Sequence, residues 1–156
     1  MADQLVRDLY GEIVRIPLID PHSHIDPHRP TARSLDDILS YHYYTELAHS
    51  AGMDKAPLAD TVEPRARVRA LLDFMDRFDN TVQYSWFLEI ARTFLGFQGD
   101  RPGPRDADAL FDQAERVMAQ PGWEESVLRQ SNLEKVFLTN DFDDPLEGFD
   151  TSRYVP

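Results

Sequence analysis

Apolar and polar residues alternate along this chain with two periods, one typical of helices and one typical of short strands. Near the N-terminus, apolar residues recur every three or four positions, which predicts an amphipathic helix with Asp3 as its N-cap. We expect the apolar face of this helix to pack on the core of the protein. The face consists of Leu5, Val6, Leu9, Tyr10, Ile13 and Val14.

The pattern of apolar and capping residues predicts helices over almost all of residues 31–130. Ser34 and Asp37 have the spacing of a capping box, which marks the start of a helix. Pro64 fits the first turn of a further helix, and Thr81 is placed to cap the one that follows. We expect the apolar residues of these last two helices to form the core of the region: Val68, Leu71, Leu72, Met75, Phe78, Val82, Trp86, Phe87, Ile90, Phe94 and Leu95.

Two apolar runs have the composition of strands. They are residues 16–19, which we expect to be buried, and residues 135–139. A two-stranded sheet is marginal on its own, and the 156 residues of the chain are too few for a complete (β/α)8 barrel, which needs roughly 250 residues. We therefore predict an α/β fold in which residues 1–156 form an incomplete N-terminal portion of one barrel domain. Residues 31–130 are then a helical insertion within it.

The composition restricts the class of protein and its partners. A content of 42% hydrophobic residues predicts a globular core. The net charge of −12 argues against nucleic acid and against an anionic membrane surface as partners. No apolar run approaches the roughly 20 residues of a membrane span, and the N-terminus lacks a signal-peptide pattern. We expect a soluble, cytoplasmic protein.

His22 and His24 are the strongest candidates for a metal site. Side chains two residues apart on a strand share a face, so two neutral imidazoles there are suited to one divalent ion. The chain contains no cysteine, so any metal must be held by His, Asp or Glu. The alternative is a pair of structural histidines in a polar turn. We favour the metal because Asp20 and Asp26 are placed to act as hydrogen-bond partners of the ligands.

A second candidate is the pair His42 and Tyr43, which lies within an aromatic cluster. Either side chain is able to act as acid, base or hydrogen-bond donor toward a substrate oxygen. The alternative is the amphipathic surface of a helix, and spacing alone favours that alternative. We interpret His28 and His49 as surface residues.

The acidic residues Asp141, Asp143 and Asp144 invite comparison with a calcium-binding loop. The loop pattern requires a glycine at its sixth position and a glutamate at its twelfth, and the chain has neither there. We expect these residues to cap the following turn instead. The chain also lacks a glycine-rich phosphate loop, a serine nucleophile elbow and a cysteine nucleophile.

Three segments resemble one family. Pro17-Leu18-Ile19-Asp20-x-His22-x-His24 resembles the first-strand signature of the amidohydrolase superfamily, and specifically of its uronate isomerase branch. His42-Tyr43 ahead of Ser50-Ala51-Gly52 is similar to a His-Tyr pair in that branch. The segment 127–145, which includes a strand followed by Thr, acidic residues and Pro, resembles the second strand of the family. The resemblance covers nearly the whole chain.

The resemblance implies a fold, a reaction and a site. The fold is a metal-bearing (β/α)8 TIM barrel, of which this chain is the N-terminal part with the first two strands and a large, mostly helical insertion. The reaction interconverts D-glucuronate and D-fructuronate by moving a proton between C2 and C1 through an enediol. His22 and His24 are implied as ligands of a divalent ion, either Zn or Mn. His42 and Tyr43 are implied as catalytic residues that line the pocket for the uronate sugar.

The chain departs from the family pattern in ways that affect the prediction. Tyr44-Thr45-Glu46 stands where the family has a Lys-Trp-Arg-like triplet, and Phe142 interrupts the acidic run. The third metal ligand and the carboxylate-binding arginines of the family fall beyond Pro156. We therefore expect the 156-residue chain to be inactive alone.

Two alternatives stay open. One is a metal-dependent hydrolase of the same superfamily, which the Tyr44-Thr45-Glu46 triplet favours. The other is a non-enzymatic helical binding module in which the histidines are structural. The oligomeric state is undetermined by the sequence, and a homo-oligomer is one option.

Overall fold

The computed structural model describes residues 2–141 and 143–156, so Met1 and the interrupting Phe142 lie outside the described residues. The described part is an α/β fold with a small parallel sheet. Its helices are α1 (Ala2–Ile13), α2 (Leu35–Leu39), α3 (His42–Ser50), α4 (Pro64–Phe74), α5 (Val82–Leu95), α6 (Ala107–Met118) and α7 (Trp123–Gln130). Its strands are β1 (Leu18–Ser23), β2 (Leu133–Leu138) and β3 (Tyr154–Val155). Two 3₁₀ turns cover Ala56–Leu58 and Met75–Phe78.

The chain forms two compact units. The first combines Met1–Thr31 with Gly122–Pro156 and contains α1, α7 and the sheet. The second is Ala32–Pro121 and contains α2 to α6. The helix α7 thus lies in the first unit, although the sequence pattern grouped it with the helical insertion. None of the described helices has the length and apolar character needed to cross a lipid bilayer.

The sheet has the order β1-β2-β3, with both pairs of strands parallel. In β1 and β2, Asp20 pairs with Val136 and Ser23 pairs with Leu138. Parallel pairing brings the carboxyl ends of the two strands to the same edge of the sheet. The third strand is a finding of the structure, because a strand of two residues has no detectable periodicity in the sequence.

The predicted limits and burial of the first strand were wrong. The strand was expected over residues 16–19, but it spans Leu18–Ser23 and continues through Pro21. Proline is tolerated there because β1 lies at an edge of the described sheet and its pairing is irregular between Asp20 and Ser23. Leu18 and Ile19 are 53% and 55% exposed. A strand is buried only when other layers cover its faces, and the sequence of the strand does not supply those layers.

The first helix forms as predicted, but its expected N-cap and its packing were wrong. α1 begins at Ala2, so Asp3 lies within the first turn. Every residue of the predicted apolar face is exposed, from 48% for Val14 to 67% for Tyr10. The periodicity determines which face of a helix is apolar, but it does not determine what covers that face.

Asn132 connects the beginnings of β1 and β2. Its backbone is left-handed, with a φ of 51°, a conformation that asparagine tolerates better than most residues. Its side-chain amide donates hydrogen bonds to the carbonyl oxygens of Val14 (3.3 Å) and Ile16 (2.9 Å). Its own carbonyl accepts from the N–H of Leu18 at 2.8 Å. One turn residue therefore aligns the segment before β1 with the start of β2.

The second unit contains a helical core, and local signals set the limits of its helices. The capping box of Ser34 and Asp37 forms as predicted. Gly52 and Gly96 follow α3 and α5 with positive φ values, as residues that end helices do. The buried apolar side chains of the unit are Leu35, Leu39, Tyr44, Ala48, Val68, Leu71, Leu72, Met75, Phe78, Tyr84, Phe87, Ala91, Leu95, Ala107, Leu110, Phe111, Ala114 and Met118.

Two residues of α5 do not join the core as expected. Val82 and Trp86, at its N-terminal end, are 54% and 49% exposed. They are four residues apart and so share one face of the helix. Because α5 is apolar on more than one face, its periodicity did not distinguish the core side from the exposed side.

A nearly buried ion pair joins α2 to α4. Asp36 is 8% exposed, and its two carboxylate oxygens accept hydrogen bonds from Nε and Nη2 of Arg67. Ser40 donates a further hydrogen bond to Asp36 Oδ1 at 2.8 Å, and Arg67 Nη1 donates to the carbonyl of Val62 at 2.7 Å. The hydrogen bonds that Arg67 donates to the Asp36 carboxylate raise the pKa of Arg67. Both charges are therefore paired and hydrogen-bonded, as buried charges must be.

We expect Asp36→Ala to lower the free energy of unfolding by about 3 kcal/mol, because it leaves the Arg67 guanidinium without its partner in a poorly hydrated position. Urea denaturation of the purified chain measures this. Asp73→Ala, which removes an exposed carboxylate from α4, is the matched control and should change the free energy by less than about 0.5 kcal/mol. Equal effects of the two substitutions would contradict the interpretation.

Candidate functional site

His22 and His24 lie at the carboxyl end of β1. His22 is the fifth residue of the strand, and His24 follows its last residue. Their rings pack edge to face, with the centroids 5.0 Å apart and an interplanar angle of 87°. Both residues are exposed. The structure thus brings together the two imidazoles that the spacing predicted to be neighbours.

The predicted role of the two nearby aspartates was wrong. Asp20 and Asp26 were expected to hydrogen-bond the imidazole rings. Instead, Asp20 Oδ1 accepts from the backbone N–H of His22 at 3.1 Å, and Asp26 Oδ1 accepts from the backbone N–H of His28 at 2.9 Å. A carboxylate two residues before an N–H readily closes such a local turn. These aspartates shape the backbone around the histidines.

Thr139 is a site residue that the sequence reading did not identify. It directly follows β2, and its Oγ1 lies 2.8 Å from Nδ1 of His24. The same oxygen lies 2.9 Å from the carbonyl oxygen of Ser23, which also accepts the backbone N–H of Thr139 at 2.9 Å. Its position could have been inferred, because residues that directly follow two paired parallel strands lie side by side.

A cavity of about 370 Å³ opens at the same edge of the sheet. This volume is within the range of small-molecule sites. The segments that follow β1 and β2 form its walls. The polar side chains that line it belong to Ser23, His24, Asp26, His28, Thr139, Asn140 and Asp144. The lining contains hydrogen-bond donors and acceptors suited to a hydroxylated ligand, but no lysine or arginine among the described residues that form it.

His28 is exposed, as expected, and it is also part of the cavity wall. Its ring packs edge to face on the ring of Phe149, with the centroids 5.2 Å apart. Gly148 has a φ of +91°, and a Cβ at that position would lie 3.2 Å from His28 Cε1. The positive φ favours glycine at 148, and a Cβ at that position would also crowd the imidazole of His28.

The acidic segment after β2 forms a turn that Asp144 caps from its end, whereas these residues were expected to cap the turn that follows them. Asp144 Oδ2 accepts the N–H of Asp141 at 2.8 Å, and the N–H of Asp144 donates to the carbonyl of Asp141 at 3.1 Å. Asp144 also lines the cavity. The described part of this segment is thus a capped turn beside the cavity.

His42 and Tyr43 lie in the second unit, in the first turn of α3. Their ring centroids are 4.3 Å apart, and the ring of Tyr41 packs on both, at 4.4 Å and 5.1 Å. All three residues are exposed. His49, expected at the surface, is only partly exposed, and its Nδ1 lies 3.1 Å from the carbonyl oxygen of Met53. The cluster of Tyr41, His42 and Tyr43 is therefore the accessible aromatic group of α3.

Tyr44, the first residue of the triplet that departs from the pattern of the resemblance, is buried. It is 5% exposed, and its ring packs on Phe87 with the centroids 6.3 Å apart. Burial raises the pKa of its hydroxyl to about 12. The side chain of Tyr44 is therefore part of the helical core. The next residue, Thr45, donates to the carbonyl of His42 at 3.3 Å.

The donor atoms at the site fit only part of a metal centre. Among the described residues, no group of three or more His, Asp or Glu side chains is placed to hold an ion. His22 and His24 supply two nitrogen donors of the type that zinc and manganese accept. A catalytic zinc site uses three protein ligands, so a zinc ion bound here would need further ligands from outside these residues.

The fold and the site define an α/β protein with a histidine pair and a polar cavity at the carboxyl edge of a parallel sheet. The known proteins to which the chain is similar are uronate isomerases. The uronate isomerase of Corynebacterium glutamicum is 30% identical, over 92% of this chain and 30% of that protein. The uronate isomerase of Corynebacterium efficiens is 29% identical, over 94% of this chain and 34% of that protein. The chain thus spans about a third of the length of the curated relatives that it matches. No family model matches the chain.

Solved structures show the same fold. The glucuronate isomerase of Caulobacter crescentus aligns with a TM-score of 0.78 at 23% identity, over 90% of this chain and 32% of that protein. The uronate isomerase of Thermotoga maritima aligns with a TM-score of 0.73 at 21% identity and the same coverage. The chain is thus similar to uronate isomerases over more than nine-tenths of its own length and about a third of theirs, which is consistent with an N-terminal portion of such a protein. The resemblance found in the sequence is confirmed.

Because Tyr44 is buried, we expect the free energy of unfolding to fall at high pH. Because its folded pKa of about 12 lies above the ordinary value of 10.0, the unfolded chain releases this proton first as the pH rises. Stability therefore falls between pH 10 and 12, by at most about 1.4 kcal/mol per pH unit for one proton. Urea denaturation across this range measures the slope. Tyr44→Phe should reduce it, whereas Tyr10→Phe, a change at an exposed residue, should not.

Proposed function

We propose that the protein of which this chain is the N-terminal part is a uronate isomerase that interconverts D-glucuronate and D-fructuronate. The observation that carries the proposal is the histidine pair beside a polar cavity at the carboxyl edge of β1 and β2. It occurs in a chain that is similar to uronate isomerases over more than nine-tenths of its length. Active sites of α/β barrels lie at this edge of the strands.

The complete fold proposed is a (β/α)8 barrel. Three parallel strands in sequential order are consistent with the first part of such a barrel, and the helical second unit lies between β1 and β2 in the chain. In a closed barrel both edges of every strand are paired and helices cover the outside. The exposed apolar residues of β1 and α1 are the surfaces that such neighbours would bury.

We propose His22 and His24 as ligands of a divalent cation, with zinc first and manganese second. When bound, the ion would polarise the sugar carbonyl or orient the hydroxyl groups. His42 and Tyr43 are proposed as catalytic residues that donate or accept protons at sugar oxygens. Their exposed rings are accessible for that purpose. The substrate proposed is a small uronate sugar and the location cytoplasmic; nucleic acid and membranes are not proposed as partners.

The chain alone holds only part of this site. A uronate carries a carboxylate, but none of the described residues that line the cavity is a lysine or an arginine. The net charge of −12 also disfavours an anionic ligand at long range. The cation that binds the carboxylate must then come from the remaining two-thirds of the protein. The 156-residue chain is therefore expected to be inactive by itself.

The second candidate is a metal-dependent hydrolase with a related barrel. The observation in its favour is the triplet after Tyr43, where the structure has a buried tyrosine, a threonine and the exposed carboxylate of Glu46. The negative charge of Glu46 would repel the carboxylate of a uronate. Comparing the turnover of uronates with that of lactones and amides by the longer protein separates the two reactions.

The first test of the isomerase is the activity of the longer protein. We expect it to isomerise glucuronate, and His22→Asn/His24→Asn to lower kcat/KM at least about 100-fold, equivalent to about 2.7 kcal/mol of transition-state stabilisation. The rate at which the ketose forms from glucuronate measures this change in kcat/KM. His49→Asn, which changes a histidine of α3, is the control and should keep most of the activity. Full activity of the double variant would rule out the proposed site.

The second test is metal binding by the 156-residue chain. Zn²⁺ or Mn²⁺ should raise its melting temperature, because a ligand that binds only the folded state stabilises it. The increase should disappear in His22→Ala/His24→Ala and persist in His49→Ala. A melting temperature that responds equally in both variants would show that the metal binds elsewhere.

A further inference from the structure

We propose that Thr139 is a positioning residue that holds His24 in one tautomer, with the proton on Nδ1 and the lone pair on Nε2. The proposal concerns a contact between the ends of two strands. The tautomer follows from the hydrogen-bond geometry alone. The relevance of this tautomer to metal binding rests on the proposed function.

The hydroxyl group of Thr139 has a single proton and two close neighbours. One is the carbonyl oxygen of Ser23 at 2.9 Å, and the other is Nδ1 of His24 at 2.8 Å. A carbonyl oxygen only accepts hydrogen bonds. The short contact with the Ser23 carbonyl is thus attractive only when the Thr139 hydroxyl donates its proton to it. If the proton pointed elsewhere, the lone pairs of the two oxygens would face each other and repel.

With its proton directed at Ser23, the Thr139 hydroxyl can only accept from His24. Nδ1 must then carry the proton of the neutral imidazole, which leaves Nε2 as the unprotonated nitrogen. This is the arrangement found when a metal-binding histidine uses one nitrogen for the ion and donates the other N–H to a neighbouring oxygen. Thr139 therefore has the role that the sequence reading had assigned to Asp20 and Asp26.

The backbone fixes the position of the hydroxyl. The N–H of Thr139 donates to the same Ser23 carbonyl at 2.9 Å, so the threonine is attached at two points to the end of β1. The ring of His22 packs edge to face on that of His24. Fixing the ring of His24 therefore also fixes the surface on which His22 packs.

The tautomer can be measured directly. Long-range ¹H–¹⁵N NMR of the histidine-labelled chain at pH 8.5, with His24 assigned from a His24→Gln sample, identifies which nitrogen carries the proton. We expect Nδ1–H in the wild type and in Thr139→Ser, which keeps the hydroxyl. In Thr139→Val we expect the Nε2–H form that a free imidazole prefers in water. Thr45→Val, the same change at a threonine of α3, is the control and should leave His24 unchanged.

Metal binding supplies the second measurement. Calorimetric titration with Zn²⁺ alone should show an affinity about 10-fold or more lower for Thr139→Val than for the wild type, the usual effect of losing the partner of a ligand. Thr139→Ser should stay within about 3-fold of the wild type. Melting temperatures of all variants verify that each chain is folded.

The outcomes separate this inference from the proposed function. Nε2–H at His24 in the wild type, or an unchanged tautomer in Thr139→Val, overturns the inference whatever the activity of the longer protein. Nδ1–H in the wild type that is lost in Thr139→Val supports it, even if Zn²⁺ does not bind. If Zn²⁺ does not bind, the proposed metal site is ruled out for this chain, whereas the role of Thr139 in positioning His24 is still supported.

Discussion

The parallel pairing of β1 with β2 is the constraint on which the candidate site depends. It joins Ser23 to Thr139, which are 116 positions apart in the chain. Because the strands run in the same direction, the polar segments that follow them meet at one edge of the sheet. The cavity, the Thr139 contact with His24 and the capped acidic turn all lie at that edge. Without the pairing, His22 and His24 would be two histidines of an exposed turn.

The two units differ in how they bury apolar surface. The second encloses a core of helices whose limits are set by local signals, and the paired charges of Asp36 and Arg67 join two of those helices. The first unit buries few large apolar side chains among the described residues, and α1 presents its apolar face outward. Extended exposed apolar surface generally marks an interface. The curated relatives are about three times as long as this chain, and in the barrel that we propose the additional residues would cover this surface.

Similarity and chemistry support the functional proposal in different ways. Relatives with about 30% identity connect nearly the whole chain with uronate isomerases. The site residues supply the chemical reason, since paired imidazoles beside a polar cavity suit a metal and a hydroxylated substrate. None of the described cavity residues is a lysine or an arginine, which agrees with the proposal that the carboxylate of a uronate binds to residues outside this chain.

The features that could be predicted from the sequence depend on residues close together in the chain. The capping box at Ser34, the helix stop at Gly52 and the proximity of His22 to His24 all arise from spacings of a few positions, where backbone geometry leaves few options. The covered apolar faces and the end of β1 became known only from the folded chain. The same is true of the third strand, formed by Tyr154 and Val155, and of the contact between Thr139 and an imidazole. These features depend on contacts between residues far apart in the chain. A periodic pattern encodes the face that a side chain occupies, but not the partner that it meets there.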